Sequence, residues 1–124
     1  MISRRQARRQ ALTLLYQWDL SGAELGSQYS EEIDSWAREL AEEVAARAPE
    51  LDARISAASE GWTADRLGVV ERNALRVAIY ELDCREVPPE VAIDEAVTYA
   101  KRYSSDEAGK LVNGILGRIQ REAA

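Results

Sequence analysis

Histidine is absent from the 124 residues, and cysteine occurs once, at Cys84. Those two lacks remove the commonest general base, the usual nucleophile pairs and most transition-metal sites. A lone cysteine has no partner for an internal disulfide. There is also no signal-peptide pattern, and no apolar run approaches the roughly 18 residues of a membrane span. The reducing cytoplasm is therefore the expected compartment, and secreted and membrane-spanning readings drop out. No glycine-rich phosphate loop follows a strand-like run. The acid pairs Glu31/Glu32 and Glu42/Glu43 are sequence neighbours, and on a helix such neighbours diverge by about 100°, so they read as solvated faces rather than convergent catalytic carboxylates. Neither catalysis, nor a cofactor, nor a metal is expected.

What remains is 46% hydrophobic and 31% charged, the balance of a soluble globular chain. The length suits one domain, 1–124, able to remove roughly two-thirds of its unfolded surface from water. The net charge of −6 argues against a polyanionic partner until its distribution is followed. Residues 1 to 18 carry Arg4, Arg5, Arg8 and Arg9 and no acid, a local +4. Positions 19 to 124 hold 12 basic and 22 acidic residues, a local −10. A ligand within a Debye length of about 8 Å meets the local cluster, not the mean.

Apolar residues recur at helical spacing throughout. Ala7, Ala11, Leu12, Leu15, Tyr16 and Leu20 mark a first helix over Arg4 to Leu20, stopped by Ser21-Gly22. Its arginines stand four apart in two pairs, which spreads the guanidiniums over one side of the N-terminal half. Positive charge there opposes the macrodipole, so helix stability gives no reason for the cluster, whereas a ligand would. Ser30 is the expected cap of a second helix with Ile33, Trp36, Ala37, Leu40 and Val44 inward, and Pro49 opens a third carrying Leu51, Ile55 and Ala58. Thr63 is expected to cap a short turn, with Trp62 as its preceding hydrophobic anchor. Val69 to Arg85 reads as the central buried helix. Pro88-Pro89 seeds the next, with Val91, Ile93, Ala96, Val97 and Ala100 apolar, and Ser105 caps the last, whose buried face is Leu111, Val112, Ile115, Leu116 and Ile119. Gly109, Gly114 and Gly117 inside that helix imply a close approach by another backbone or a ligand. No segment alternates with period two for long enough to be a strand, so the fold class is all-α.

Four blocks carry more than periodicity. Arg4-Arg5-Gln6-Ala7-Arg8 with Leu14-Leu15-Tyr16-Gln17-Trp18, the run Val70 to Leu82, Val87-Pro88 followed by Val91 to Val97, and Lys110-Leu111-Val112-Asn113-Gly114-Ile115-Leu116 stand in this order. Together they closely resemble the transcription antitermination factor NusB family, with residues 21 to 60 the weakly matching part. The resemblance implies about seven helices in two small three-helix bundles. It also implies binding of boxA-type single-stranded RNA in ribosomal RNA leader transcripts, together with the small-subunit ribosomal protein that acts as NusE, within the transcription elongation complex. By position, the RNA-binding residues it implies are Arg4, Arg5, Arg8, Arg9, Lys110, Leu111 and Asn113, and those facing the partner protein are Tyr16 and Glu71. The family often carries an aromatic where this chain has Leu111.

The residues themselves leave other readings open. A terminal arginine cluster is frequently just a solvated face, and Tyr16 and Tyr80 serve equally well as core aromatics. Trp18, Trp36 and Trp62 read first as core, and Cys84 as a small helix-packing residue. A helical protein-interaction module without RNA is the alternative function. The related helical domain of ribosomal RNA cytosine methyltransferases is set aside, because the chain holds no cofactor domain and no catalytic cysteine motif. Monomer and homodimer remain equally open for the free state. If all four arginines each meet a phosphate, they contribute roughly −3 to the log–log salt slope of binding.

Overall fold

The computed structural model describes residues 2–123. Among these residues every regular element is helical, and the chain falls into two compact units that divide between Arg47 and Ala48.

The first unit begins with α1, Arg4–Ser21. Ser3 and Gln6 close a reciprocal capping box: the Gln6 N–H donates to Ser3 Oγ at 3.1 Å and the Ser3 N–H donates to Gln6 Oε1 at 3.0 Å. Gly22, at φ 74°, ends the helix in the left-handed region, and its N–H returns to the Trp18 carbonyl. Ala7, Ala11, Leu12, Leu14 and Leu15 are buried. A 3-10 turn at Leu25–Gln28 follows, tied back by the Gln28 side-chain amide, which donates to the Leu14 carbonyl.

The helix α2 spans Ser35–Ala46 and lays Ala37, Leu40, Ala41 and Val44 into the core. Its cap is Asp34, not the expected Ser30. The Asp34 carboxylate accepts from the N–H groups of Trp36 and Ala37. Gln10 on α1 fixes this start by donating to the Glu32 carbonyl and accepting from the Asp34 N–H. Both bonds span more than twenty residues, so no local pattern announces them.

The second unit holds α3 (Ala48–Ala58), α4 (Val69–Cys84), α5 (Pro89–Tyr103) and α6 (Asp106–Ala123). A 3-10 turn at Ala64–Arg66 takes the place of the short turn expected after Thr63. Thr63 flanks that turn but does not cap it with its side chain. Its hydroxyl donates to the Asp65 carboxylate instead, which holds the Asp65 carboxyl below its ordinary value. The described residues therefore contain six α-helices, one fewer than the expected number. They divide two and four rather than three and three, because α3 packs against α4 and α6.

As expected, α4 is central: Ala74, Leu75, Val77, Ala78 and Ile79 are all buried, and α3, α5 and α6 pack around it. Three polar residues share its buried face, namely Asn73, Arg76 and Glu81. The Arg76 guanidinium donates to both Asp52 carboxylate oxygens at 2.7 Å and to Asn73 Oδ1 at 3.0 Å, and the Asn73 amide donates to the Val69 carbonyl. A two-pronged pair of this kind fixes how α3 registers on α4. Ser105 caps α6 as expected, its Oγ accepting from the Ala108 N–H.

Candidate nucleic-acid interface

In the first unit, the capping box starts α1 at Arg4, so the arginines enter the helix in its first two turns. They do not share one fate. Arg4 and Arg5 are exposed and Arg9 is half-buried, but Arg8 is only 5% exposed. Arg8 stands four residues before Leu12 and seven before Leu15, which places it on the apolar stripe. Both Arg4 and Arg8 lie over the indole of Trp36 on α2, at 4.4 and 5.6 Å from the ring centroid. Trp36 is thus a half-buried platform rather than a core residue, and its π face offsets part of the macrodipole's repulsion of these cations. The expected spread of four guanidiniums becomes a rim of Arg4, Arg5 and Arg9 beside a buried Arg8. Spacing puts Trp36 on the inward stripe of α2 but does not show its place beneath Arg4 and Arg8, which arises across two helices.

In the second unit, α6 exposes Lys110, Leu111, Asn113 and Gly114 over one turn. Lys110 makes a solvent-exposed pair with Glu107 at 3.7 Å. Leu111, assigned to the buried face by its periodicity, is instead 38% exposed. The three glycines of α6 also separate. Gly109 is buried, with the stem of Lys101 lying where a Cβ would stand, so the close approach there comes from a side chain. Nothing lies within 4 Å of a Cβ built at Gly114.

The expected partner-facing residues, Tyr16 and Glu71, lie in different units and are both half-buried. The Glu71 carboxylate folds back over Gly68 at the start of α4, where a carboxylate also suits the macrodipole. Trp62 and Cys84 are exposed rather than packed: Trp62 retains 54% of its surface, and Cys84 is the last residue of α4. No described helix is long and apolar enough to cross a membrane.

The model of the NusB family matches residues 5–121. The chain belongs to the NusB family. A transcription antitermination protein NusB from Salinispora tropica is 42% identical over 96% of this chain and 96% of that protein. Among solved structures, T. maritima NusB superposes with a TM-score of 0.86 at 37% identity, covering 98% of this chain and 92% of that one. A crystal structure of the antitermination factors NusB and NusE in complex with double-stranded RNA gives 0.81 at 32% identity, covering 96% of each chain. Family membership thus spans both units, including the middle that sequence blocks left weak.

Proposed function

We propose that this chain is a non-catalytic transcription antitermination factor acting in the cytoplasm. In this reading it binds boxA-type single-stranded RNA of ribosomal RNA leader transcripts together with the ribosomal protein that acts as NusE, and joins the elongation complex through that assembly. The observation that carries the proposal is the arginine rim of α1, with Arg4 and the buried Arg8 over Trp36, in a stretch without a single acid and on an otherwise acidic chain. Arg4, Arg5 and Arg9 meet phosphates, and Arg8 contributes by holding α1 and α2 together. Lys110, Leu111 and Asn113 on α6 supply a charge, an apolar surface and an amide able to read a base edge. Tyr16 and Glu71 belong to the protein-facing side.

Single strands are favoured over duplex as the sequence-bearing ligand, because the deep major groove of A-form RNA hides its base edges from side chains. The duplex in the NusB–NusE structure belongs to that complex. Fluorescence anisotropy with leader RNA, a scrambled strand and a duplex of the same sequence, with and without the ribosomal protein, tests the reading. Tighter binding to the unpaired leader strand, strengthened by the ribosomal protein, is expected. Equal affinity for all three would refute sequence recognition, and no binding to any would leave the protein-interaction module as the function.

A further inference from the structure

The second unit contains a cavity that uses none of the residues assigned to RNA or to the partner protein. It lies where the end of α4, the corner leading into α5 and the last turns of α6 meet, beside Arg54 of α3, and encloses about 850 Å3. That volume falls in the upper part of the roughly 300–1,000 Å3 of small-ligand sites. Leu82 of α4 and Ile119 of α6 line it together with Val87, Pro88 and Pro89, so its floor and one wall are apolar. Leu82 and Val87 are only half-buried, which leaves their surfaces available to a guest.

The apolar wall is set before any ligand arrives. Each proline ring locks its own φ and carries no N–H, so these two positions present no unsatisfied donor to the cavity. Pro88 is the N-cap of α5 and Pro89 its first residue, and the Pro88 carbonyl accepts from the N–H groups of Val91 and Ala92 at 2.9 and 3.2 Å. A wall held in this way loses little freedom when a ligand packs on it, which lowers the entropy cost of binding.

The polar rim is weighted towards donors. Its charged members are Arg54, Asp83, Arg85 and Glu86. The Arg54 guanidinium donates to Asp83 at 2.6 Å, which engages that carboxylate and leaves the other N–H groups of the guanidinium unspent. Arg85 is exposed, and its guanidinium enters no ion pair or hydrogen bond with the described residues. It ends α4 as the C-cap at φ 58° and ψ 25°, in the left-handed region where glycine is the usual residue. A long side chain held there is strained, and strain of this kind concentrates at ligand sites. Glu86, exposed beside Arg85, repels a second negative charge, so the rim admits a singly charged anion and disfavours a dianion such as a phosphate monoester. A planar head of one negative charge that meets a guanidinium through two N–H groups is a carboxylate. The volume left over takes an aliphatic chain.

We propose that this cavity binds an aliphatic monocarboxylate, its head on Arg85 and Arg54 and its chain against Leu82, Val87, Pro89 and Ile119. The site is independent of the RNA-binding reading and stands or falls without it. Calorimetric titration of the full chain with decanoate, decanol, decyl phosphate and decyltrimethylammonium, each below micelle formation, is the test. Decanoate binds one to one, and decanol binds on the order of tenfold more weakly, the factor set by losing hydrogen bonds to a charged group. Decyl phosphate and the ammonium also bind more weakly than decanoate. Arg85→Gln brings the affinity for decanoate down to that for decanol. Ala123→Trp fills the cavity from the exposed end of α6 and abolishes binding of both, with circular dichroism showing the helices intact. Arg85→Gly loses the same affinity as Arg85→Gln yet melts no lower than wild type, because glycine relieves the strain at the C-cap; an arginine kept only for structure would give the opposite pair of results. Equal affinity for decanoate and decanol, tighter binding of the phosphate or the ammonium, unchanged decanoate affinity in both Arg85→Gln and Ala123→Trp, or no saturable binding at all would overturn the proposal.

Discussion

Replacing Trp36 by Ala removes the surface on which two arginines of α1 rest. Arg8 is 5% exposed and its guanidinium lies 5.6 Å from the ring centroid, so its cation–π attraction belongs to the desolvated class, worth about 2 kcal/mol. Arg4 is exposed and closer, at 4.4 Å, and its attraction is worth about 0.5 kcal/mol. With the lost apolar contact of a half-buried indole, the total comes to about 3 kcal/mol, the low end for Trp-to-Ala changes. A chain of this size shifts its melting temperature by about 4 °C per kcal/mol, so Trp36→Ala should melt about 12 °C lower. Circular dichroism at the helical band reads this directly. Trp36→Phe, which keeps a ring, should recover more than half of the loss. A Trp36→Ala protein melting within about 2 °C of wild type would refute the claim that the indole stabilises the cluster.

Asp52→Ala takes the carboxylate from the buried Arg76 guanidinium and should destabilise the chain by about 3 kcal/mol in denaturant unfolding, with Asp52→Asn less damaging because one acceptor remains. The same substitution should act oppositely at two glycines of α6. Gly114→Ala gains about 1 kcal/mol from helix propensity, whereas Gly109→Ala forfeits that gain because the Lys101 stem must move. Melting curves of the two variants check the sign. Asp65 is held below its unfolded value of 3.8 by the Thr63 hydroxyl. Its contribution is therefore complete above that value and is lost as pH falls through the folded value. Thr63→Val should lower acid stability at mildly acidic pH, with the difference from wild type vanishing at the lowest pH, and an offset persisting there would refute the assignment.

Much of this was legible in the chain. The apolar stripes of α1 and α4, that of α6 apart from Leu111, the stop of α1 at Gly22 and the start of α6 at Ser105 follow from spacing and caps alone, and the family blocks lie on α1, α4, α5 and α6. The position of Arg8 on the stripe was also readable, since it stands four residues before Leu12. Other features depend on contacts between distant segments. Asp34 rather than Ser30 starts α2 because Gln10 reaches across from α1. Trp36 becomes a platform only when α2 packs on α1. Trp62 lies outside the core because Ser59 turns the corner that carries it. Asn73 and Arg76 interrupt an apolar face because Asp52 waits on α3.

The salt dependence of RNA binding tests the central claim most directly. In the proposed interface Arg8 is buried and three arginines are left to meet phosphates, and each phosphate neutralised on a single strand contributes about −0.7 to the slope of log K against log salt. Replacing Arg4, Arg5 and Arg9 together by Ala should make that slope shallower by about 2 and weaken binding at low salt, while Arg8→Ala should lower the melting temperature and leave the slope nearly unchanged. An unaltered slope and affinity in the triple variant would contradict the assignment of the α1 rim as the phosphate-binding surface.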